Sequence, residues 1–150
     1  MKSIPVTAAV ILDDDGRVLV AQRRGDDGSC KWEFPGGKLR IGESPEECLR
    51  RELLEELGIE AEVGDVIHVI HEPLRGGDWL LLIAYLCTWK RGVLELREHK
   101  DCKWVEPGEL LEMDLLDADR KVAAKLLGLL KKSPRLTNRR GNEKRTGYGP

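Results

Sequence analysis

The sequence has no apolar run of the roughly 18 residues that a membrane-spanning helix needs, and no basic segment followed by an apolar one at its start. These absences argue against a membrane span and a secretory signal peptide. A C-x-x-C pair is also missing, because the four cysteines, at positions 30, 48, 87 and 102, stand far apart. Such spacing does not favour a zinc site or a disulfide framework. We therefore predict a cytoplasmic protein with reduced thiols and no membrane contact.

Basic residues are outnumbered by acidic ones in most of the chain. Residues 1–130 carry 18 basic and 26 acidic side chains, a net charge of −8. Such an acidic body binds a bare polyphosphate poorly unless a divalent metal ion supplies positive charge. From Lys131 onward the balance reverses, with seven Lys or Arg against one acid, Glu143. No aromatic residue lies between these basic residues, so they predict at most a salt-sensitive attraction to nucleic acid, without base recognition.

The composition otherwise fits one folded domain. With 41% hydrophobic and 35% charged residues in 150 positions, the chain has enough apolar side chains for a hydrophobic core. We expect this domain to comprise residues 1–132, and a basic, disordered tail to comprise residues 133–150.

Strand-like segments are separated by turn signals. Segments rich in β-branched and other apolar residues lie at 4–12, 17–24, 62–74 and 79–89. The Asp-Gly pair between the first two predicts a hairpin, whereas D-D-D-G lacks the closing glutamate of a calcium loop. Residues 102–110 predict a short strand and a turn, and residues 117–130 an amphipathic helix. The sum is an α+β fold with a mixed sheet.

Residues 44–58 carry clear signals for the start and end of a helix. Ser44 suits the N-cap, Pro45 the first helical position, and Glu47 completes an S-x-x-E capping box. Gly58 suits the position just after the helix. Its apolar stripe is formed by Leu49, Leu53 and Leu57. One side of the helix should therefore be buried, with the acids beside it facing a cleft, and the glycine-rich residues 25–43 before it should be mostly loop.

The acids of this helix are concentrated on one side. At about 100° per residue, Glu52, Glu55 and Glu56 fall within one arc of about 100°, and like charges four positions apart repel by a few tenths of a kcal/mol. An ordinary solvated helix face is one explanation. A bound Mg²⁺ or Mn²⁺ is the other, because hard cations prefer carboxylate and carbonyl oxygens, and G-G-K at 36–38 supplies approachable backbone nearby.

From Gly37 to Ile59 the sequence follows the pattern G-x5-E-x7-R-E-U-x-E-E-x-G-U, with U aliphatic, at every fixed position. This pattern is the signature of the Nudix hydrolases, which the chain resembles. K-W-E-F-P-G-G-K before it, and E-H followed by K-W-V after it, are similar to the MutT-like branch, and the likeness spans residues 4–130. The resemblance implies a Nudix α/β/α sandwich with a loop–helix–loop and a C-terminal packing helix.

The resemblance also implies roles for single residues. The expected metal ligands are the carbonyl of Gly36 and the carboxylates of Glu52, Glu55, Glu56 and Glu98. Arg51 would orient a glutamate of the pattern through an ion pair, Glu43 would brace the loop, and Lys38 would contact phosphate. The predicted catalytic group is Glu52, Glu98, Arg51 and Glu55.

MutT-like enzymes convert nucleoside triphosphates to monophosphate and pyrophosphate by attack of water on the β-phosphorus. The implied activity requires Mg²⁺, for which Mn²⁺ could substitute. Glu52 is our preferred base and Glu98 the second choice, since a metal-bound carboxylate can still accept a proton from adjacent water. Arg23 and Arg24, at the end of the second strand, could bind phosphate bidentately or be surface charges at a turn.

The nucleotide is the open question. Asp119 stands where relatives specific for oxidised guanine carry asparagine, and it could accept hydrogen bonds from guanine or from a cytosine amine, or be a first-turn helix acid. Pro73 lies near the spacing that marks ADP-ribose hydrolases of the family. Trp32 and Trp79 could stack on a base or pack in the core. A regulatory nucleotide-binding module would be expected to lack acids of the pattern. The protein could be a monomer or a homodimer.

Overall fold

A computed structural model of the chain describes residues 1–25 and 30–133. The elements are β1 (Ser3–Ile11), β2 (Val18–Gln22), β3 (Trp32–Glu33), β4 (Gly36–Lys38), α1 (Pro45–Leu57), β5 (Ile59–Pro73), β6 (Trp79–Gly92), β7 (Asp101–Val105), a 3₁₀ helix (Pro107–Glu112) and α2 (Asp117–Lys132). In the described ranges, neither helix is long and apolar enough to span a bilayer.

The strands form two sheets. The larger sheet has the order β4-β1-β6-β5, with β1 and β6 parallel and the other pairs antiparallel. The smaller sheet has the order β3-β2-β7 and is antiparallel throughout. The predicted α+β class with a mixed sheet is confirmed, although the smaller sheet was not anticipated.

Strand β1 lies at the centre of the molecule, buried on both faces. Ala8 and Val10 belong to the core that packs on α2, whereas Ala9 and Ile11 belong to the core that packs on α1. The three predicted leucines of α1, Leu49, Leu53 and Leu57, are fully buried in that second core. With one helix on each face, the fold is the sandwich that the resemblance implied. Each such leucine contributes about 1.5–3 kcal/mol by leaving water.

The hairpin predicted between the first two strands is only a turn. The backbone N–H of Asp13 donates to the carbonyl of Arg17 at 2.9 Å, and one antiparallel bridge joins Leu12 to Val18. Beyond that bridge the strands enter different sheets. β1 pairs with β6 along one edge and with β4 at residues 6–8 along the other, whereas β2 pairs with β3 and β7.

The glycine-rich segment before α1 contains two short strands, β3 and β4, where the sequence predicted mostly loop. Gly36 has a φ of +156°, and a Cβ there would lie 2.0 Å from the carbonyl oxygen of Thr7. Only glycine fits at this approach of β4 to β1. The segment thus joins both sheets through backbone pairing, which the pattern of side chains in the sequence does not indicate.

Helix α1 begins and ends as predicted. The Ser44 hydroxyl accepts from the backbone N–H of Glu47 at 3.1 Å, and the Glu47 carboxylate accepts from the N–H of Ser44 at 2.8 Å. Gly58 has a left-handed φ of 71°, and its N–H donates to the carbonyl of Leu54. The tail predicted at 133–150 lies outside the described residues except for Ser133, so it stays a prediction, as does the boundary at 132.

Candidate active site

The three clustered glutamates of α1 have different environments. Glu56 is buried, Glu52 is mostly buried, and the Glu55 side chain is 41% exposed. Consecutive positions on a helix point about 100° apart, so Glu55 and Glu56 cannot share one environment. The helix therefore turns two of its acids toward the β4 loop and one toward the surface.

Glu52 lies against the first glycine of the signature. A Cβ at Gly37 would stand 2.0 Å from Oε2 of Glu52, so any larger residue would displace the carboxylate. The Gly37 carbonyl in turn accepts from the hydroxyl of Thr7 at 3.3 Å. These contacts fix the positions of α1, the segment at Gly37 and β1 relative to one another.

Arg51 holds the loop to the helix. Its guanidinium donates to both oxygens of Glu43, with Nη2 and Oε1 2.9 Å apart, and Nη2 also donates to the Lys38 carbonyl at 3.2 Å. Nη1 lies 3.2 Å from Oε1 of Glu55 and 3.5 Å from Oε2 of Glu52. Hydrogen bonding to Arg51 lowers the pKa of Glu43 to about 2. Arg51 thus joins Glu43 and the loop carbonyl of Lys38 to two acids of α1.

Burial and neighbouring acids oppose the ionisation of Glu56. Burial, and then repulsion from Glu52, Glu33 and Glu98, raises the pKa of Glu56 to about 9. Its Oε1 is buried and has no hydrogen-bond partner. Burial, followed by repulsion from Glu55 and Glu98, also raises the pKa of Glu52, against the opposing effect of Arg51. A cation beside these two carboxylates would favour their ionised forms and so oppose the rise in both pKa values.

The donor set fits a hard divalent cation, although the side chains do not enclose one as they stand. Within residues 1–25 and 30–133, no group of three or more His, Cys, Asp or Glu side chains is arranged to hold a metal ion. The reason is visible at Glu55, whose carboxylate is paired with Arg51 and lies 3.5 Å from Arg40. The unpartnered oxygen of Glu56 and the repulsion felt by Glu52 nevertheless point to a missing positive charge.

A cavity of about 720 Å³ opens beside these acids. The predicted metal ligands that line it are Gly36, Glu56 and Glu98. The predicted substrate contacts Arg23, Arg24, Lys38 and Asp119 all line it as well. Three predicted residues, Glu52, Glu55 and Arg51, do not reach its surface. Glu52 stands behind Gly37, which does line the cavity, and the other two lie toward the outer side of α1.

Asp119 is buried in the wall of this cavity. It lies in the first turn of α2, yet its Oδ1 accepts from the backbone N–H of Phe34, 85 residues away, at 3.0 Å. Burial raises the pKa of Asp119 to about 7, against the opposing effect of that hydrogen bond. The carboxyl group thus fixes the chain just after β3, and it lines the cavity at the same time.

Several cavity residues were missed by sequence reasoning. Glu33, His99 and Arg75 line the cavity, and Glu33 Oε1 lies 3.7 Å from Arg23 Nη1. Glu33 stands in the K-W-E-F segment and His99 follows Glu98, but neither segment by itself indicates a role for them. Arg75 belongs to the R-G-G-D turn. Nothing in the sequence shows that these segments meet at one cavity.

The two tryptophans considered for base stacking lie elsewhere. Trp32 is 9% exposed and packs in the core next to α2. The Trp79 ring lies 4.9 Å from that of His71. Neither is among the described residues that line the cavity. Core packing is thus confirmed for Trp32, whereas Trp79 is only partly buried and belongs to neither core. Pro73, by contrast, lines the cavity at the end of β5.

Fold and site together define the class of protein. The family model of the NUDIX domain matches residues 2–126. The chain belongs to the NUDIX family, and it is a hydrolase that acts on nucleotides. The resemblance drawn from the G-x5-E pattern is confirmed.

Two relatives of known activity and one solved structure are similar to the chain over most of its length. The chain is 42% identical over 120 residues to the CTP pyrophosphohydrolase of Escherichia coli (strain K12), covering 79% of this chain and 87% of that one. It is 36% identical over 101 residues to the 8-oxo-dGTP diphosphatase of Proteus vulgaris, covering 66% and 87% respectively. The solution structure of the E. coli ORF135 protein matches with a TM-score of 0.80 and 36% identity, covering 91% of this chain and 96% of that one.

Proposed function

We propose that this protein is an Mg²⁺-dependent nucleoside triphosphate pyrophosphohydrolase that releases a nucleoside monophosphate and pyrophosphate. One observation carries the proposal: Glu56, Glu98, the basic residues and Asp119 line a single cavity. A polyphosphate bound there would lie along acids that need a cation, with its base near a buried carboxyl group.

Mg²⁺ would be held by Glu52, Glu55, Glu56, Glu98 and the carbonyl of Gly36, and when bound it activates water and neutralises phosphate charge. Arg51 keeps the acids of α1 oriented through its contacts with Glu43 and the loop. Glu55 is the ligand that must exchange its arginine partners, since its carboxylate is paired with Arg51 and lies 3.5 Å from Arg40.

The reaction is a displacement at the β-phosphorus. The oxygen of water forms a bond to that phosphorus while the bridging bond to the α-phosphate breaks, and the monophosphate leaves. Glu52 accepts the proton of the attacking water in our preferred assignment, and Glu98 is the second candidate. Arg23, Arg24 and Lys38 bind the phosphate oxygens, and the guanidinium groups can do so bidentately.

We favour a cytidine nucleotide as the substrate. An ionised Asp119 accepts a hydrogen bond from the exocyclic amine of cytosine, and the relative in E. coli named above is a CTP pyrophosphohydrolase. An oxidised guanine nucleotide is the second candidate, because guanine also presents N–H donors to a carboxylate and the P. vulgaris relative is an 8-oxo-dGTP diphosphatase.

A substrate panel tests the proposal. It comprises the canonical nucleoside triphosphates, 5-methyl-dCTP, 8-oxo-dGTP, ADP-ribose and a dinucleoside polyphosphate, ranked by kcat/KM because that ratio measures discrimination. We expect the cytidine triphosphates to rank first, with pyrophosphate as the released product. Preference for ADP-ribose, or release of inorganic phosphate, would overturn the assignment. Nucleotide binding without turnover would instead indicate a regulatory module.

The role of Asp119 has its own test. Asp119→Asn keeps a side-chain oxygen for the Phe34 N–H but replaces the other carboxylate oxygen with a donor. We expect the ranking of cytidine against guanine nucleotides to change by about 10-fold, since one mismatched buried hydrogen bond costs about 1–3 kcal/mol. An unchanged ranking would restrict Asp119 to its structural bond with Phe34.

A further inference from the structure

Glu98 is carried by an exposed segment with one buried residue. Between positions 95 and 100, every residue except His99 is exposed, and His99 is 4% exposed. Neighbouring exposed side chains have no core packing to fix them. The position of the Glu98 carboxylate therefore depends on how His99 is anchored.

The segment is attached on both sides. On the side of α1, the backbone N–H of Arg97 donates to the Glu56 carbonyl at 3.2 Å, and that of Glu95 donates to the Leu57 carbonyl at 2.9 Å. On the other side, Lys100 N–H donates to the Gln22 carbonyl at 2.8 Å. These backbone bonds locate the segment as a whole but do not orient the side chain of residue 98.

The side-chain anchor is a hydrogen bond between His99 and Glu33. His99 Nε2 lies 2.8 Å from Glu33 Oε2, and because a carboxylate only accepts, Nε2 is the donor. His99 Nδ1 is buried without a hydrogen-bond partner, so the bond to Glu33 is the polar contact that holds the imidazole. Glu33 is itself fixed, since β3 pairs with β2 through Ala21.

Glu33 also occupies a central place in the cavity. It lines the cavity, its Oε1 faces Arg23, and its charge acts on both Glu56 and Asp119. It therefore lies between the acids of the metal site and the carboxyl group assigned to the base. The hydrogen bond to Glu33 therefore fixes the position of the His99 imidazole relative to both of these groups.

We propose that Glu33 and His99 form a positioning pair that sets the place of the Glu98 carboxylate in the cavity. This inference rests on the proposed function, because Glu98 is there assigned to metal binding or proton transfer. In this proposal His99 acts through its neighbour Glu98. Loss of the pair should lower turnover while substrate binding changes little.

The test compares His99→Ala, His99→Gln and Glu33→Gln, with His71→Ala as the matched control. His71 makes a comparable hydrogen bond, to Ser3 Oγ at 3.0 Å, but does not line the cavity. With CTP at saturating Mg²⁺, we expect His99→Ala to lower kcat by about 10- to 100-fold, as loss of a residue that orients a metal ligand does, with KM within about 3-fold. His99→Gln keeps a donor toward Glu33 and should recover most of that loss.

A double-mutant cycle separates positioning from general destabilisation. Because His99 acts through Glu98, adding His99→Ala to Glu98→Gln should lower kcat no further. A wild-type kcat in His99→Ala, an effect confined to KM, or independent losses in the double variant would each overturn the proposal. If His99→Ala does not fold, the kcat of His99→Gln is compared with that of Glu33→Gln. Only the second change weakens the acceptor of the hydrogen bond between residues 33 and 99, so only it should lower kcat strongly.

Failure of the proposed function would be recognised separately. If the wild type hydrolyses nothing in the panel, Mn²⁺ affinity of the nucleotide-free protein becomes the readout. Equal weakening of Mn²⁺ binding in His99→Ala and Glu98→Gln would still support the pair. Unchanged binding in His99→Ala beside weakened binding in Glu98→Gln would overturn it.

Discussion

Two adjacent acids of α1 lie in different environments because their side chains point in different directions. Glu56 is buried with an unpartnered oxygen, whereas Glu55 is exposed and paired with Arg51 and Arg40. The buried acid is expensive to ionise without a cation. The exposed acid must give up its two arginine partners to bind a metal ion. A site that binds its metal together with substrate needs both kinds of ligand.

Replacing Glu55 by glutamine tests the exposed ligand. The change removes one negative charge and keeps the shape, so we expect kcat to fall about 100-fold or more, as when one electrostatic contact to a reacting group is lost. Glu60→Gln is the control, because Glu60 is a similarly exposed acid paired with Arg91 outside the cavity. Near wild-type turnover of the Glu55 variant at saturating Mg²⁺ would contradict its role as a ligand.

The buried carboxyl group of Asp119 should make stability depend on pH. Its pKa is about 7 in the folded protein against 3.8 for the ordinary group. Between these values the folded state binds the extra proton, so stability is lost as the pH rises through this window, by about 1.4 kcal/mol for each pH unit. Asp119→Asn removes this loss.

Urea unfolding at pH 5, 6, 7 and 8 measures that dependence. The free energy of unfolding of Asp119→Asn, relative to wild type, should rise from pH 5 to pH 7 by a few kcal/mol and then level off. Asp117→Asn is the control, since Asp117 lies in the same first turn of α2 but is not buried. A difference that is the same at every pH would show that Asp119 titrates normally.

At the scale of elements, local signals were predictable and long-range ones were not. Helix α1 followed from Ser44, Glu47 and Gly58 because a cap involves residues within one turn. The separation of β1 from β2 did not follow, since it depends on which strands compete for the edges of β1. The bonds of Asp119 to Phe34 and of His99 to Glu33 span 85 and 66 residues. No spacing in the sequence encodes such contacts, so the signature revealed the acids but not their partners.

The contact of the loop with α1 can be tested at Gly37. Its φ is not in the left-handed region, but a Cβ would stand 2.0 Å from Oε2 of Glu52. Gly37→Ala should therefore push this carboxylate aside and lower kcat at least about 10-fold, because a displacement of 1 Å can cost about 100-fold in rate. Gly108→Ala, where a Cβ meets open space, should leave kcat unchanged. Equal activity in both variants would show that Glu52 moves without consequence.

At the scale of the whole molecule, the destabilising interactions lie at the candidate active site. The core on each side of β1 is apolar and closely packed, whereas the acids beside the cavity repel one another in a partly buried place. Functional sites often retain such destabilising groups because the ligand makes use of them. Stability and activity should therefore respond in opposite directions when a buried acid is neutralised.

Thermal unfolding of Glu56→Gln tests this opposition. In a chelator at neutral pH the variant should unfold several degrees above wild type. With its pKa raised to about 9, Glu56 must take up a proton on folding, a cost that glutamine lacks, and about 1 kcal/mol corresponds to about 2–4 °C at this size. Mg²⁺ should raise the Tm of wild type by mass action but leave that of the variant almost unchanged, and turnover should be lost. Glu60→Gln should keep the wild-type Mg²⁺ response, and NaCl at equal ionic strength should not reproduce it. If Mg²⁺ stabilises wild type and Glu56→Gln equally, Glu56 is not a ligand, and its unpartnered oxygen needs another explanation.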